Sequence, residues 1–167
     1  MKIGYGWDSH EFKAAIPLKI GGVEISHPRG LGGHSDGDVL LHAITDALLG
    51  AVAAPDIGTL FSPSDARWKG ADSAVFLAEA MRRVKAAGYR IVNLDSTLIL
   101  AAPKIGPHTA AIRKHVSGLM KLSPNCIGIK AKTPEGLNLD NAAMAQVVVL
   151  LEEIPTARTR KTGVRKS

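Results

Sequence analysis

Between Asp38 and Val52 the chain sets Leu41, Ile44, Leu48 and Val52 on one helical face, and Asp38, His42 and Asp46, four residues apart, on the opposite one. Such a helix must lay one side on an apolar core and find polar partners for the other. Ser35 followed by Asp38 resembles a capping box that starts it, and it should end near Gly50. Around it, Lys2 to Phe12 alternates as a strand, and Leu18-Lys19-Ile20 and Val23-Glu24-Ile25 flank Gly21-Gly22 as a two-residue hairpin. A second helix is predicted from Ser73 to Ala87, with Val75, Leu77, Ala78, Met81 and Val84 as its apolar stripe and Gly88 just past its end. Ile91 to Ala101 reads as a strand, Pro107 to about Lys121 as a helix, and Cys126 to Lys132 and Ala143 to Glu153 as further strands. The fold class is therefore α/β of the α+β type: a mixed sheet with helices on one face, whose other face, left bare, invites association.

No repeat or low-complexity linker divides the chain, so a single domain over residues 1–154 is expected, followed by a basic, disordered tail over 155–167. The net charge of +6 would suggest nucleic acid if it covered a face. Arg158, Arg160, Lys161, Arg165 and Lys166, however, account for all but one unit of it. The longest apolar run, Val147 to Leu151, is far too short for a bilayer, and Asp8, His10 and Glu11 stand where a signal peptide would be apolar. A cytoplasmic protein with no membrane and no nucleic-acid partner is expected. The lone Cys126 cannot form an internal disulfide and reads as a small buried hydrophobe.

Three segments can do chemistry. Asp8 and His10 are two apart, so on a strand they leave the same face ~7 Å apart and can reach one ion. Joined by His42 they would form an Asp-His-His set with an open fourth position, as in a catalytic zinc site, although Asp-x-His plus a distant His also describes ordinary surface residues. Gly32-Gly33-His34-Ser35 precedes the first helix, where free N–H groups favour a phosphate; a plain glycine turn with Ser35 as the N-cap is the competing reading. Asp56-Ile57-Gly58 is a turn whose carboxylate meets either substrate hydroxyls or its own backbone. Lys104 follows a Pro103 bend at one strand end, and Lys132, Thr133 and Glu135 bring cation, hydroxyl and carboxylate together at another, suited to phosphate and a divalent metal.

Taken together, Gly6-Trp7-Asp8-Ser9-His10, His34-Ser35-Asp36-Gly37-Asp38, Leu41-His42-Ala43, Thr45 to Ala51, Asp56-Ile57-Gly58, Ala102-Pro103-Lys104 and Lys130 to Thr133 closely resemble the 2-C-methyl-D-erythritol 2,4-cyclodiphosphate synthase family over residues 1 to about 154. The resemblance implies a homotrimer around a central cavity, active sites between subunits, and zinc on Asp8, His10 and His42. It implies conversion of 4-diphosphocytidyl-2-C-methyl-D-erythritol 2-phosphate to the cyclic 2,4-diphosphate with release of CMP, in non-mevalonate isoprenoid biosynthesis. His34 and Thr133 would stabilise the transferring phosphoryl group, and Glu135 would hold Mg²⁺ or Mn²⁺ with the substrate phosphates. Substrate contacts would come from Asp8, His10, His34, Ser35, Asp56, Ile57, Gly58, Phe61 and Asp65. On the neighbouring subunit they would come from Leu100, Ala101, Ala102, Pro103, Lys104, Ile105 and Gly106 and from Lys132, Thr133, Pro134 and Glu135. Asp46 would orient the metal-bound imidazole of His42. Gly136 to Asn141 departs from the Gly-Arg-Gly-Glu-Gly segment of many members and has no Arg.

Two other functions fit parts of the sequence. A zinc hydrolase could use the same ligands with Asp46 as general base. A nucleic-acid-binding protein could use the basic tail, but Phe, Tyr and Trp make up only 4% of the chain and offer no stacking platform.

Overall fold

The computed structural model describes residues 1–137 and 139–155. Five strands form one mixed sheet in the order β4-β1-β7-β5-β6, where β1 is Lys2–Ala14, β4 Arg29–Leu31, β5 Tyr89–Leu100, β6 Ile127–Lys132 and β7 Ala142–Glu153. All pairings are antiparallel except β5 with β6, the pair joined through helix α4 (Thr109–Met120), since a parallel return requires a crossover. Strands β2 (Leu18–Ile20) and β3 (Val23–Ile25) make the expected hairpin, with Gly21 and Gly22 at φ of 61° and 75°, as its tight turn demands.

Helix α1 (Val39–Ala51) lies across β1 and β7, and α3 (Ala74–Ala86) packs on α1; between them comes the short helix α2 (Ile57–Leu60). The approach of α1 to β1 is unusually close because two strand positions carry no side chain. A Cβ at Gly6 would stand 2.0 Å from the Ala43 carbonyl oxygen, and one at Gly4 1.8 Å from that of Ala47. The core lies between this face of the sheet and the helices, with Ala143, Ala145, Val147, Val149 and Leu151 of β7 all buried in it.

The helices cover one face, as expected from the order of elements, and the opposite face is bare. Ile3, Tyr5 and Trp7 on β1 are 71%, 59% and 48% exposed and meet Leu150, Val148 and Gln146 across the β1–β7 ladder. Among the described residues no helix is long and apolar enough to cross a membrane.

Several expectations are corrected. Helix α1 starts at Val39 and its N-cap is Asp38, so Ser35 is not the capping residue. In α3 the buried positions are Phe76, Leu77, Ala80 and Val84, while Val75 and Ala78 face out, because the face toward α1 is rotated from the simple apolar stripe. Cys126 lies in a 3-10 turn just ahead of β6 and is half-buried. From residue 156 onward, the basic tail lies outside the described residues.

Candidate metal centre and flanking cavities

Each polar residue of α1 finds a different partner. Asp38, fully buried, accepts from the N–H groups of Gly21 (2.9 Å), Gly22 (2.6 Å) and Leu41 (3.0 Å), tying the hairpin turn to the helix start. Its carboxylate thus occupies the helix N-terminus proposed from sequence for a phosphate. Asp46 accepts from the Ile57 N–H at 2.8 Å and fixes the start of α2; burial raises its pKa. It makes no hydrogen bond to His42, so the orienting role assigned to it is not what the structure shows.

His42 turns toward β1. Because Gly4, Gly6, Asp8 and His10 share the helix-facing side of that strand, Asp8 and His10 project where α1 delivers His42. Asp8 Oδ2 lies 2.9 Å from His10 Nε2 and 3.0 Å from His42 Nδ1, and the two imidazole nitrogens are 3.0 Å apart. Burial pushes the Asp8 carboxyl up, but hydrogen bonds from His10 and His42, with their charges, outweigh it and hold the pKa down to about 2. Burial likewise lowers His10, yet the hydrogen bond and charge of Asp8 prevail and raise it.

Two imidazole nitrogens and one carboxylate oxygen converge from separate elements, and this group can hold a divalent metal. Ligands ~2.0–2.2 Å from a tetrahedral ion sit ~3.4 Å apart, so edges of this length need only a small outward adjustment to fit one.

A cavity of about 330 Å³ opens over this group, lined by His34, Ser35, Ile57, Gly58, Phe61, Pro63, Trp68 and Phe76 besides the three donors. His34 Nε2 donates to the Asp65 carbonyl at 3.1 Å, which sets its ring. Phe61, Trp68 and Phe76 form an aromatic cluster with centroids 4.5 to 5.8 Å apart. Ile57 and Gly58 reach the cavity, whereas the Asp56 side chain accepts from the Thr59 N–H as the cap of α2. Asp65 is paired with Arg67 at 2.6 Å. Asp56 is exposed and Asp65 half-buried, and their hydrogen bonds lower the pKa values of both.

The strand-end residues gather elsewhere. Leu100, Pro103, Lys104, Ile105 and Gly106 line a second cavity of about 520 Å³ with Lys132, Thr133 and Glu135, and the Thr133 hydroxyl donates to the Glu135 carboxylate. Ala101, Ala102 and the buried Pro134 adjoin it without lining it. Asp8 pairs with Ala145, Ala145 with Leu98 and Leu98 with Ala131. Three strand spacings of ~4.8 Å thus separate the backbones of Asp8 and Ala131, and two separate His10 from Leu100, since both stand opposite Ala143.

Sequence reasoning missed Ser73, Trp68 and Phe76. Ser73 lies 31 residues from His42, yet its hydroxyl is 2.8 Å from His42 Nε2; nothing in the local pattern announces that. The aromatic pair had a signal: in a chain with seven aromatic residues, three stand between Phe61 and Phe76.

A family model described as the YgbB family matches residues 1–152. A 2-C-methyl-D-erythritol 2,4-cyclodiphosphate synthase of Koribacter versatilis is 65% identical over 153 residues, covering 92% of this chain and 99% of that protein. A chloroplastic synthase of Oryza sativa subsp. japonica is 48% identical over 153 residues, 90% of this chain and 69% of that protein. Among solved structures, a 2C-methyl-D-erythritol-2,4-cyclodiphosphate synthase in a CDP-bound form superimposes with a TM-score of 0.86 at 46% identity, covering 90% and 100% of the two chains. A CDP complex from Plasmodium falciparum does so at 0.81 and 33% identity, covering 92% and 97%.

Proposed function

This chain belongs to the YgbB family, and from that premise we propose that it converts 4-diphosphocytidyl-2-C-methyl-D-erythritol 2-phosphate to 2-C-methyl-D-erythritol 2,4-cyclodiphosphate with release of CMP. An oxygen of the 2-phosphate attacks the β-phosphorus, and the bond from that phosphorus to the oxygen shared with CMP breaks, its electron pair leaving with CMP. No protein nucleophile is required, so the chain must position the two phosphates and neutralise charge.

The observation that carries this reading is the convergence of Asp8, His10 and His42 at the floor of a cavity walled by His34 and Ser35. Asp8, His10 and His42 would hold Zn²⁺, and Glu135 with substrate phosphates Mg²⁺ or Mn²⁺; bound there, the ions neutralise and polarise phosphate oxygens. Ser35 and the ring of His34, anchored on the Asp65 carbonyl, face the transferring phosphoryl group. Phe61, Trp68 and Phe76 exclude water and so strengthen those interactions. Ile57 and Gly58 offer backbone groups to the methylerythritol hydroxyls, with Asp56 and Asp65 at the rim. The cytidine and its phosphates fit the cavity between residues 100–106 and 132–135, where Lys104 and Lys132 supply positive charge and Thr133 stabilises the transfer.

We place each active site between subunits of a homotrimer, the triad of one facing the second cavity of its neighbour, with the bare sheet faces that carry Ile3, Tyr5, Trp7 and Val148 around a central cavity. Sedimentation should give three times the chain mass, and a stable active monomer would overturn the shared site. No observation favours the hydrolase reading: its candidate base Asp46 accepts from the Ile57 N–H and does not line the cavity over the triad.

The deciding assay is CMP release from the cytidine diphosphate substrate with Zn²⁺ and Mg²⁺. Release should disappear in His42→Ala with the fold retained by circular dichroism. A folded, metal-loaded native protein that releases no CMP would refute the proposal.

A further inference from the structure

We propose that Asp36 and Ser73 form a positioning relay behind His42, which engages its Nε2–H and so fixes the ring with Nδ1 turned to the Asp8–His10 side. The inference rests on the metal-binding reading of that triad and assigns two residues that touch neither metal nor substrate.

Ser73 is the N-cap of the 13-residue helix α3, yet its hydroxyl makes no capping hydrogen bond, and its backbone is helical (φ −62°, ψ −16°) where a capping serine is extended. Asp72 instead accepts from the Ala74 N–H at 2.8 Å. The Ser73 hydroxyl is fully buried and has two neighbours: it donates to Asp36 Oδ1 and lies 2.8 Å from His42 Nε2.

A serine hydroxyl has one hydrogen, and a carboxylate only accepts. With that hydrogen given to Asp36, the oxygen faces His42 with lone pairs alone, so Nε2 must carry the proton and donate. Nδ1 is then the nitrogen held toward the triad, 3.0 Å from both Asp8 Oδ2 and His10 Nε2. The rear of the relay is braced. Asp36 N–H donates to the Ala71 carbonyl at 3.0 Å, Gly70 N–H to the His34 carbonyl at 2.8 Å, and Lys19 Nζ stands 3.7 Å from Asp36 Oδ2.

The relay also frees a second group. Ser35 Oγ lies 2.9 Å from His42 Nε2 but lines the cavity. Because Ser73 already receives the imidazole proton, the Ser35 hydroxyl can turn its own hydrogen to a phosphate oxygen without releasing His42.

Metal affinity is the test, read apart from turnover. Zn²⁺ affinity by chelator competition and the Co²⁺ absorption spectrum should be compared among native protein, Ser73→Ala, Ser73→Cys and Asp36→Asn. Partners that orient a ligating imidazole are worth ~10- to 100-fold in affinity. Ser73→Ala and Asp36→Asn should each weaken Zn²⁺ binding by that factor, and Ser73→Cys, similar in shape but a poor acceptor, should weaken it too. Metal-free melting temperatures of the Cys variant should stay near native, separating orientation from packing. Native affinity and spectrum in all three variants would overturn the relay while leaving the triad intact. A native protein that binds neither ion would overturn the triad and the relay together.

Discussion

Substituting Gly6 by Ala should damage both stability and the metal site, because one close contact serves both. The added Cβ would lie 2.0 Å from the Ala43 carbonyl oxygen and 2.6 Å from the Ala47 nitrogen, both helix backbone with no side chain to swing aside. Reaching an ordinary 3.4 Å contact requires β1 and α1 to part by roughly 1.4 Å, in an interior packed like a crystal. Overpacking of this kind costs ~1–3 kcal/mol, readable by urea unfolding. His42 immediately precedes Ala43, and Asp8 is two residues from Gly6, so the same shift opens the triad edges of 2.9 to 3.0 Å. Metal sites tolerate about 0.2 Å, so Zn²⁺ binding should fall ~100-fold or more even where the variant remains folded. Gly118→Ala is the control: this exposed glycine of α4 has nothing within 4 Å of its would-be Cβ. It should gain ~0.5–1 kcal/mol of stability and keep native Zn²⁺ affinity. If Gly6→Ala matches native protein in both measurements, the helix is not held against the strand as described.

The pH dependence of the metal-free protein follows from the triad. Asp8 has its pKa depressed from 3.8 to about 2, so its contribution is present above 3.8 and is lost as pH falls through about 2. It amounts to at most ~2 kcal/mol for this largely buried carboxylate. Melts between pH 2 and 5 should show that loss in native protein and not in Asp8→Asn. His10, raised above 6.5, contributes stability below 6.5 that disappears as pH rises through its folded value. Zn²⁺ must displace that proton, so Zn²⁺ affinity measured by chelator competition should decline as pH drops through the same value; a pH-independent affinity would contradict the coupling. For the shared active site, equimolar His42→Ala and Thr133→Ala chains, each inactive alone, should recover about a quarter of native CMP release after mixed refolding. A site between neighbours is intact when each supplies its own wild-type half. No recovery in mixed oligomers would mean that both halves come from one chain.

The elements were legible wherever a residue's own neighbours decide its fate. The Gly21-Gly22 hairpin, the β1, β5 and β7 strands and the α1 helix all follow from local alternation or helical spacing. What escaped depends on tertiary partners. Asp46 had the right spacing to steady His42, but the α2 turn brought the Ile57 N–H nearer, and a buried carboxylate takes the donor that reaches it. Ser73 reads from sequence only as the first residue of a helix; its hydroxyl is claimed by Asp36 and His42, which only folding brings there. Likewise the buried face of α3 was set by packing on α1, and a helix whose apolar residues cover more than one stripe does not announce which side will be covered.

Strand β1 serves both faces of the sheet. Its even positions 4, 6, 8 and 10 carry Gly, Gly, Asp and His, and its odd positions 3, 5 and 7 carry Ile, Tyr and Trp. The pleat sends the first set under α1 and the second to the bare face, so one strand supplies the Asp8 and His10 donors to one side and an exposed apolar surface to the other. A slip of one residue would exchange the two sets. It would drive Tyr5 and Trp7 into helix backbone that clears no more than a hydrogen atom at Gly4 and Gly6, and it would strand Asp8 and His10 on the far side from His42. The glycines that permit the close approach of α1 therefore also enforce the register that makes the triad. For that reason the alternation Gly-x-Gly-x-Asp-x-His constrains this site more than the Asp-x-His spacing alone.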